Sequence, residues 1–394
     1  MKIIYYSNLV PLELREEIKS KTSSYPSQAA QKFHSLLSEG LKNFTSLQNI
    51  SSLPISGDVS QEIECKNFQN HDFFFTGFNK KGLIRQIFNV WYSFILTFKL
   101  YRKNNINYAV FDYLNQSVTI GGYIACMILK VKKIVIVTDL PQYQHINKNK
   151  GLINNLVIKF LLKFLNSFDG YILLTKQMNE VVNKNLKPNI IMEGLVDANY
   201  EVGVTHERKK IILYAGGLYE KYGVKKLINA FLALGLNDFQ LHLYGWGDLE
   251  QYIKSCEVKH NNIKFFGVVP NSEIVKLLPE CTLLVNPRPS SLELSKFSFP
   301  SKILEYMLSA TPVVTTRLPG IPEDYSNHLY FFDDESEIGI KNTLNNLMSL
   351  SSEELFQKGQ LASKFVMNEK SNKIQAQKIV NFLYSNPTLN KKRY

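Results

Sequence analysis

The stretch "FSFPSKILEYM", residues 297–307, sets a proline and a serine where a helix can begin, a lysine next, and a glutamate three residues later. The first turn of a helix carries unpaired N–H groups and a partial positive charge, so it favours an anion. Ser301 can cap that turn or stand in it, and Lys302 adds a full positive charge at the same end. Glu305 lies one turn along the same face. A phosphate would repel it, so its chemistry is better suited to accepting hydrogen bonds from neighbouring hydroxyls, such as a ribose diol. Arg288, in "LLVNPRPSS", follows a run of apolar residues and offers a planar, permanently charged clamp for phosphate or carboxylate. Phosphate donors beside a hydroxyl acceptor suit a nucleotide-sugar.

Other residues fall at similar places. "LYAGGLYEKYGVKKLINAF" puts Gly216 and Gly217 after an apolar run, where a ligand can approach the backbone closely, with Lys221, Lys225 and Lys226 nearby. "LHLYGWGD" repeats the pattern with Tyr244, Gly245 and Gly247, and "IKFFGVVPNSEIVKLL" places the backbone of Val268 and Val269 where it can hold a nucleobase by its edge. A tight turn explains each of these equally well. In the first half, "KIVIVTD" ends on Asp139, which can orient an acceptor hydroxyl, accept its proton, or cap a following turn. "FDYLNQS" brings Asn115 and Gln116 to a similar place.

These residues need elements to hold them. Short apolar runs alternate with helix-length segments: "KIIYY", "HDFFF", "YAVFD", "KIVIVTD", "GYILLT" and "NIIME" first, then "KIILYAG", "FQLHLYG", "NIKFFG", "TLLVNP", "PVVTT" and "LYFF". Strands alternating with helices predict parallel sheets covered on both faces, and two such series predict an α/β chain of two Rossmann-like domains. Ligands of open parallel sheets lie beyond the carboxyl ends of the strands, so a cleft between two facing sheets is the expected site. The boundary is expected near residues 196–210, giving domains of 1–200 and 201–371, with a tail of 372–394.

The chain has 394 residues, 45% of them hydrophobic and 20% charged, as in an ordinary globular protein. A net charge of +12 implies a polyanionic partner or a solvated basic surface. No nucleic-acid motif accompanies it. Cys65, Cys126, Cys256 and Cys281 are far apart and read as reduced thiols of a cytoplasmic protein, and no metal-ligand spacing occurs. The first residues do not read as a signal peptide, and no apolar run is long enough for a transmembrane helix. Two stretches, 83–103 and 151–165, are apolar with basic charges only. Each is either a helix lying on an anionic membrane or a core helix whose lysines point to water.

The order of motifs resembles a family-4 retaining glycosyltransferase of the GT-B fold. The likeness is closest from 210 to about 325, through "LYAGGLYEKYGVKKLINAF", "LYGWGD", "LLVNPRP", "FSFPSKILEYMLSATPVVTT" and "LPGIPE". It is looser in the first half, through "VTDLPQY", "LLTKQMNEVV" and "IIMEGLVD". The resemblance implies two facing Rossmann-like domains with an acceptor on the first and a nucleotide-sugar on the second. It also implies a last helix, about 372–384, that returns to the first domain, and sugar transfer with retention and without a metal or other cofactor. Donor contacts then fall on Gly216, Gly217, Lys221, Tyr244, Gly245, Val268, Ser298, Phe299, Pro300, Ser301 and Glu305. Catalysis falls on Arg288, Lys302 and Asp139, and acceptor contacts on Asn115, Gln116 and Asp139. Of the family's two glutamates, Glu305 matches the second and Phe297 stands at the first. Its loop arginine and lysine fall on Gly217 and Tyr222, and its histidine on Thr138. The pattern "EKYG…NPRP…SFPSK..EYM" is similar to a subgroup used in bacterial capsule and exopolysaccharide assembly. The expectation is therefore a hexosyltransferase moving sugar from a UDP-sugar to a lipid-linked saccharide, cytoplasmic or peripheral on the inner face of the cell membrane. The alternative is a non-catalytic nucleotide-sugar-binding protein of the same fold.

Overall fold

A computed structural model describes residues 1–15, 28–52, 65–68, 71–76, 82–144, 152–201, 203 and 207–390. The chain divides into two compact units: Met1–Leu195 together with Asn372–Tyr394, and Val196–Ser371.

Among the described residues the first unit has eight strands: β1 (Lys2–Ser7), β2 (Ser46–Ser52), β3 (Cys65–Phe68), β4 (His71–Thr76), β5 (Tyr108–Asp112), β6 (Lys132–Val137), β7 (Gly170–Leu173) and β8 (Asn189–Ile191). Their order in the sheet is β3-β4-β2-β1-β5-β6-β7-β8. All neighbours run parallel except β3, which pairs antiparallel with β4 and departs from the expected all-parallel sheet. Neither β2 nor β3 stands out in the sequence. The reason for β2 is chemical: "SLQNISS" is polar, yet it lies between β1 and β4 with Gln48, Asn49, Ser51 and Ser52 buried. Two of these find partners inside, Ser38 donating to Asn49 at 3.4 Å and Ser52 to Asn115 at 3.0 Å, while Gln48 Oε1 and Ser51 Oγ are buried with no hydrogen-bond partner among the described residues.

Side chains of β1 alternate between the two faces. Ile3 and Tyr5 join a core with Leu37, Leu41, Ile379 and Leu383, from the helices Gln28–Lys42 and Asn372–Ser385. The last helix is tied down by Asn372 donating to the Leu36 carbonyl at 3.3 Å and Tyr108 donating to the Leu383 carbonyl at 3.1 Å. Tyr6 points the other way, stacks on Phe111 at 4.3 Å, and meets Thr97 of the helix Gly82–Asn104 at 2.8 Å. Beneath the first face, the buried side chains of Tyr5, His34 and Asp112 form a chain, with Tyr5 Oη 2.5 Å from His34 Nδ1 and His34 Nε2 3.3 Å from Asp112.

The second unit has six strands: β9 (Lys209–Ala215), β10 (Gln240–Tyr244), β11 (Ile263–Gly267), β12 (Cys281–Asn286), β13 (Val313–Thr316) and β14 (Tyr330–Phe332). All run parallel in the order β11-β10-β9-β12-β13-β14. The chain winds outward from β9 in one direction, then returns to β12 and winds in the other. The carboxyl ends of β9 and β12 are thus the switch point where open parallel sheets take ligands. On one face, Val224, Leu227, Phe231, Ile253, Ile340 and Leu344 cover the sheet. On the other, Ile274, Ile303, Met307 and Val366 do so. A fully buried side chain of this size contributes about 1.5–3 kcal/mol.

Cys126, Cys256 and Cys281 are buried free thiols, and burial pushes Cys126 and Cys281 up to about 12. The side chain of Cys65 lies outside the described residues. Among those residues no helix is long and apolar enough to cross a membrane, and no group of three or more His, Cys, Asp and Glu is placed to hold a metal ion.

His242, on β10, is half-buried, and burial with the charges of Lys264 and Lys209 lowers it to about 4. The folded value lies below the unfolded one, so the ring contributes stability in its neutral form. That contribution is complete above the unfolded value of about 6.5 and is lost as pH falls toward 4. Solvent screening at this exposure leaves roughly 1–2 kcal/mol of the effect. Chemical denaturation at pH 7 and pH 4.5 should therefore show a smaller acid loss in His242→Gln than in the wild type. Equal losses would rule the assignment out.

Candidate functional site

The loops beyond β9, β10, β11 and β12 are stitched side by side through glycine. Gly216 N–H donates to the Tyr244 carbonyl at 3.0 Å, Gly245 N–H to Gly267 at 2.7 Å, and Leu218 N–H to Trp246 at 2.9 Å. A Cβ on Gly245 (φ +127) would lie 1.8 Å from the Gly216 carbonyl oxygen, and one on Gly223 (φ +79) 2.1 Å from that of Pro287. Neither contact is possible for another residue, and both backbones sit where L side chains are strained. Gly216 and Gly217 have packing work as well. Their open sides face the Tyr214 hydroxyl, at 2.8 Å from an added Cβ, and the rings of Tyr219 and Tyr222, at 2.8 and 3.1 Å. Loop-to-loop fit is thus one demand that these glycines meet, beside the close ligand approach expected of them.

Arg288 leaves the end of β12 into this seam. Its guanidinium stands 4.8 Å from the centre of the Tyr222 ring, and its Nη1 donates to Ser298 Oγ at 3.3 Å. Tyr222 closes the short 3-10 turn Glu220–Tyr222 and precedes the left-handed Gly223, so the ring's place is set by the β9 loop. Arg288 also acts on the buried Tyr214 phenol, which burial raises and the arginine's charge lowers. Lys221 is exposed, its ammonium 5.3 Å from the Tyr219 ring and 5.4 Å from that of Tyr222. The other two lysines of this loop turn elsewhere: Lys225 pairs with Glu220 at 3.3 Å and Lys226 donates to the Glu335 carbonyl at 3.1 Å.

The helix Ser301–Leu308 begins at Pro300, which stands at the cap position, with no side-chain cap. Ser301 is thus the first helical residue and exposed, which settles the choice left open by the sequence. Ile303, Leu304 and Met307 anchor the helix in the core, leaving Lys302 and Glu305 half-buried on its outer side. Lys302 Nζ lies 3.4 Å from Glu305 Oε2 and donates to Asn271 Oδ1 at 2.8 Å, while Asn271 Nδ2 reaches Glu305 Oε1 at 3.4 Å. Asn271 opens the helix Asn271–Leu277, so the end of the β11 connection joins the triangle. Tyr200 adds a fourth group: burial raises its phenol, and the charge of Glu305 raises it further. Arg288 holds one end of segment 298–302 and Lys302 is the other, so at most about 14 Å of extended chain separates them.

Other expected donor residues contribute differently. The Tyr244 ring is buried, stacked on Phe266 at 4.6 Å, and Phe299 is buried against Tyr325 at 5.3 Å. These side chains build the core, so only their backbones can face a ligand. Val268 is exposed beyond β11, as is Trp246 beyond β10, which meets the Tyr219 ring at 5.7 Å. Phe297 ends the 3-10 turn Glu293–Lys296 beside Ser298. Asn271, Tyr200 and Tyr222 were missed in the sequence. The one signal for Asn271 is the Pro-Asn pair that opens its helix.

In the first unit, Asn115 is occupied on both sides of its amide. It donates to the Ser7 carbonyl and accepts from Ser52 at 3.0 Å, which ties the ends of β1 and β2 to the turn after β5. Gln116 is half-buried beside the raised phenol of Tyr113. Asp139 is exposed just past β6, the neighbour of β5.

Residues 209–349 match the family model described as Glycosyl transferases group 1. No curated protein matches the chain. Among solved structures, a sucrose-phosphate synthase from Thermosynechococcus elongatus superposes with a TM-score of 0.66 at 11% identity, over 98% of this chain and 100% of that one. HepE of Anabaena, solved in complex with UDP, gives 0.64 at 16% identity, over 98% and 100%. A glycosyltransferase from Rickettsia africae gives 0.65 at 15% identity, over 99% of each chain. Identities this low speak for the fold alone. The chain has the GT-B fold, and residues 209–349 of its second unit are similar to the group 1 glycosyl transferases.

Proposed function

We propose that the protein transfers a sugar from a nucleotide-sugar, a UDP-sugar by preference, to a lipid-linked saccharide during assembly of a cell-surface polysaccharide. Retention of anomeric configuration and independence of metal are part of this reading, as is a place at the cytoplasmic face of the membrane. The observation that carries it is the pair of cations at the switch point, Arg288 on Ser298 and Lys302 on the uncapped start of the helix Ser301–Leu308, with Glu305 one turn further. HepE supports the donor, having been solved with UDP, with UDP and glucose, and with UDP-glucose.

In this reading the bond between the sugar's anomeric carbon and the diphosphate breaks, and its electron pair leaves with the diphosphate. Arg288, Lys302 and the helix N–H groups offset the charge that develops there. Glu305, held by Lys302 and Asn271, accepts from the ribose hydroxyls. Asp139, exposed after β6, orients the acceptor hydroxyl or takes its proton, with Asn115 and Gln116 next to it in the sequence reading. Phe297 favours a second reading, a nucleotide-sugar-binding protein without turnover, because a hydrocarbon ring stands where the resembled family has a carboxylate.

Release of nucleotide diphosphate from a panel of UDP-, GDP- and dTDP-sugars separates the two. Arg288→Ala and Lys302→Ala should each lower kcat by about 100-fold or more, the scale for losing one charge-stabilising donor. Unchanged turnover in both would remove the assignment, and donor binding without any release would establish the second reading. Glu305→Gln should act chiefly through binding, raising the donor KM by about tenfold with a smaller change in kcat, as expected for a lost hydrogen bond between a carboxylate and a hydroxyl. A fall in kcat alone would assign Glu305 to the chemical step instead.

A further inference from the structure

The helix Gly82–Asn104 is built inside out. An ordinary surface helix turns its apolar stripe to the core and its polar residues to water. Here the buried seam is Asn89, Ser93, Thr97 and Leu100, three of them polar. Their hydroxyls and amide are used internally: Thr76 donates to Asn89 at 2.9 Å, Ser93 to the Val118 carbonyl at 2.7 Å, and Thr97 to the Ser93 carbonyl at 2.6 Å. The outward stripe is Ile84, Ile87, Trp91 and Ile95, at helical spacing, with Trp91 60% exposed. Of the two readings left open for this segment, a core helix or a helix on a membrane surface, the outward stripe speaks against the first.

The stripe does not stand alone. The helix Gln116–Ile128 lies against the first so closely that a Cβ on Gly121 would fall 2.1 Å from the Val90 carbonyl oxygen, and it exposes Ile124, Met127 and Ile128. The helix Leu152–Leu165 follows, joined by Tyr123 against Phe164 at 5.0 Å, and exposes Leu156, Val157 and Phe160. Three neighbouring helices on one side of the first unit's sheet thus present large apolar side chains to the outside. None of the three contains an acidic residue, while Lys99, Arg102, Lys103, Lys159 and Lys163 are exposed on them.

We infer that this layer docks on an anionic lipid bilayer, lying in the interface and not crossing it. Apolar patches of this kind mark interaction surfaces. The all-basic flanks select a partner of opposite charge and disfavour a second copy of the same face, which would set like charges against each other. Isoleucine, leucine, phenylalanine and tryptophan facing outward with exposed lysine and arginine on the same helices is the composition of interfacial helices, whose binding combines burial of apolar groups with attraction to anionic headgroups. The inference stands on the first unit alone and does not rest on the transferase reading.

The chain has two tryptophans, Trp91 and Trp246, so Trp246→Phe leaves Trp91 as the reporter. Flotation of the full chain with phosphatidylcholine vesicles, with and without phosphatidylglycerol, should show binding to the anionic vesicles that weakens with salt. In the W246F protein those vesicles should shift Trp91 emission to the blue. The triple variant Ile87→Ser, Trp91→Ser, Ile95→Ser should bind at least tenfold less, and Lys159→Glu with Lys163→Glu several-fold less, both with unchanged thermal melts. No flotation of the wild type, or flotation unaffected by the triple variant, would overturn the inference. So would a dimer that the triple variant dissociates in a protein that ignores vesicles, because a second copy would then cover the face. No sugar donor enters the assay, so its failure would remove the membrane location from the proposed function and leave sugar transfer itself intact.

Discussion

One steric constraint holds the candidate site together: at Gly245 and Gly223 a backbone carbonyl occupies the place where a side chain would begin. Through the first contact the loops after β9 and β10 lie in register. Through the second, the loop after β9 is pressed onto the Pro287 backbone beside Arg288. The position of Arg288 is therefore set from two sides, by the end of β12 and by the Tyr222 ring that the Gly223 turn delivers. A larger residue at either glycine would push apart loops whose hydrogen bonds run from Gly216 to Tyr244 and from Leu218 to Trp246. At these two positions the glycines place the charged residues through backbone contact.

Much of the architecture was legible because buried parallel strands read as unbroken apolar runs, and the strands named in the second unit lie where those runs occur. The failures have physical causes. β2 is buried yet polar, with Asn49 and Ser52 paired to Ser38 and Asn115, and no pattern of hydrophobicity betrays such a strand. The helix Gly82–Asn104 is ambiguous in the opposite sense: its apolar residues suit a core or an outer face equally, and here Ile84, Ile87, Trp91 and Ile95 face outward while Asn89, Ser93 and Thr97 line the seam. Composition states how much apolar surface a helix has, and only its neighbours state which side needs it. The candidate site divides likewise. Arg288, Lys302 and Glu305 could be found because charge after a strand, or at a helix start, has a local physical meaning. Asn271 and Tyr200 come from other segments, and only the fold brings them to Glu305.

The two departures from the resembled family, Gly217 and Tyr222 in place of its loop arginine and lysine, are also connected in space. A tyrosine at 222 gives the guanidinium of Arg288 an aromatic face to lie against, at 4.8 Å. An arginine so supported is held in place without a carboxylate partner, and its charge is not neutralised by the contact that orients it. Arg288 of the β12 end and the exposed Lys221 of the β9 loop thus both bring positive charge to the Tyr222 ring.

The triangle of Asn271, Lys302 and Glu305 has an energetic consequence for the proposed reaction. At this exposure the Lys302–Glu305 pair is worth less than about 1 kcal/mol. Hydrogen bonds from a charged donor to phosphate contribute about 1.5–3 kcal/mol each. A diphosphate arriving at the uncapped helix start thus draws Lys302 away from Glu305 at little cost. Glu305 then keeps the Asn271 amide and gains capacity for hydroxyl donors at the moment the ribose arrives. Phe297 takes no part in this exchange, since a hydrocarbon ring can neither hold Lys302 back nor compete for the hydroxyls.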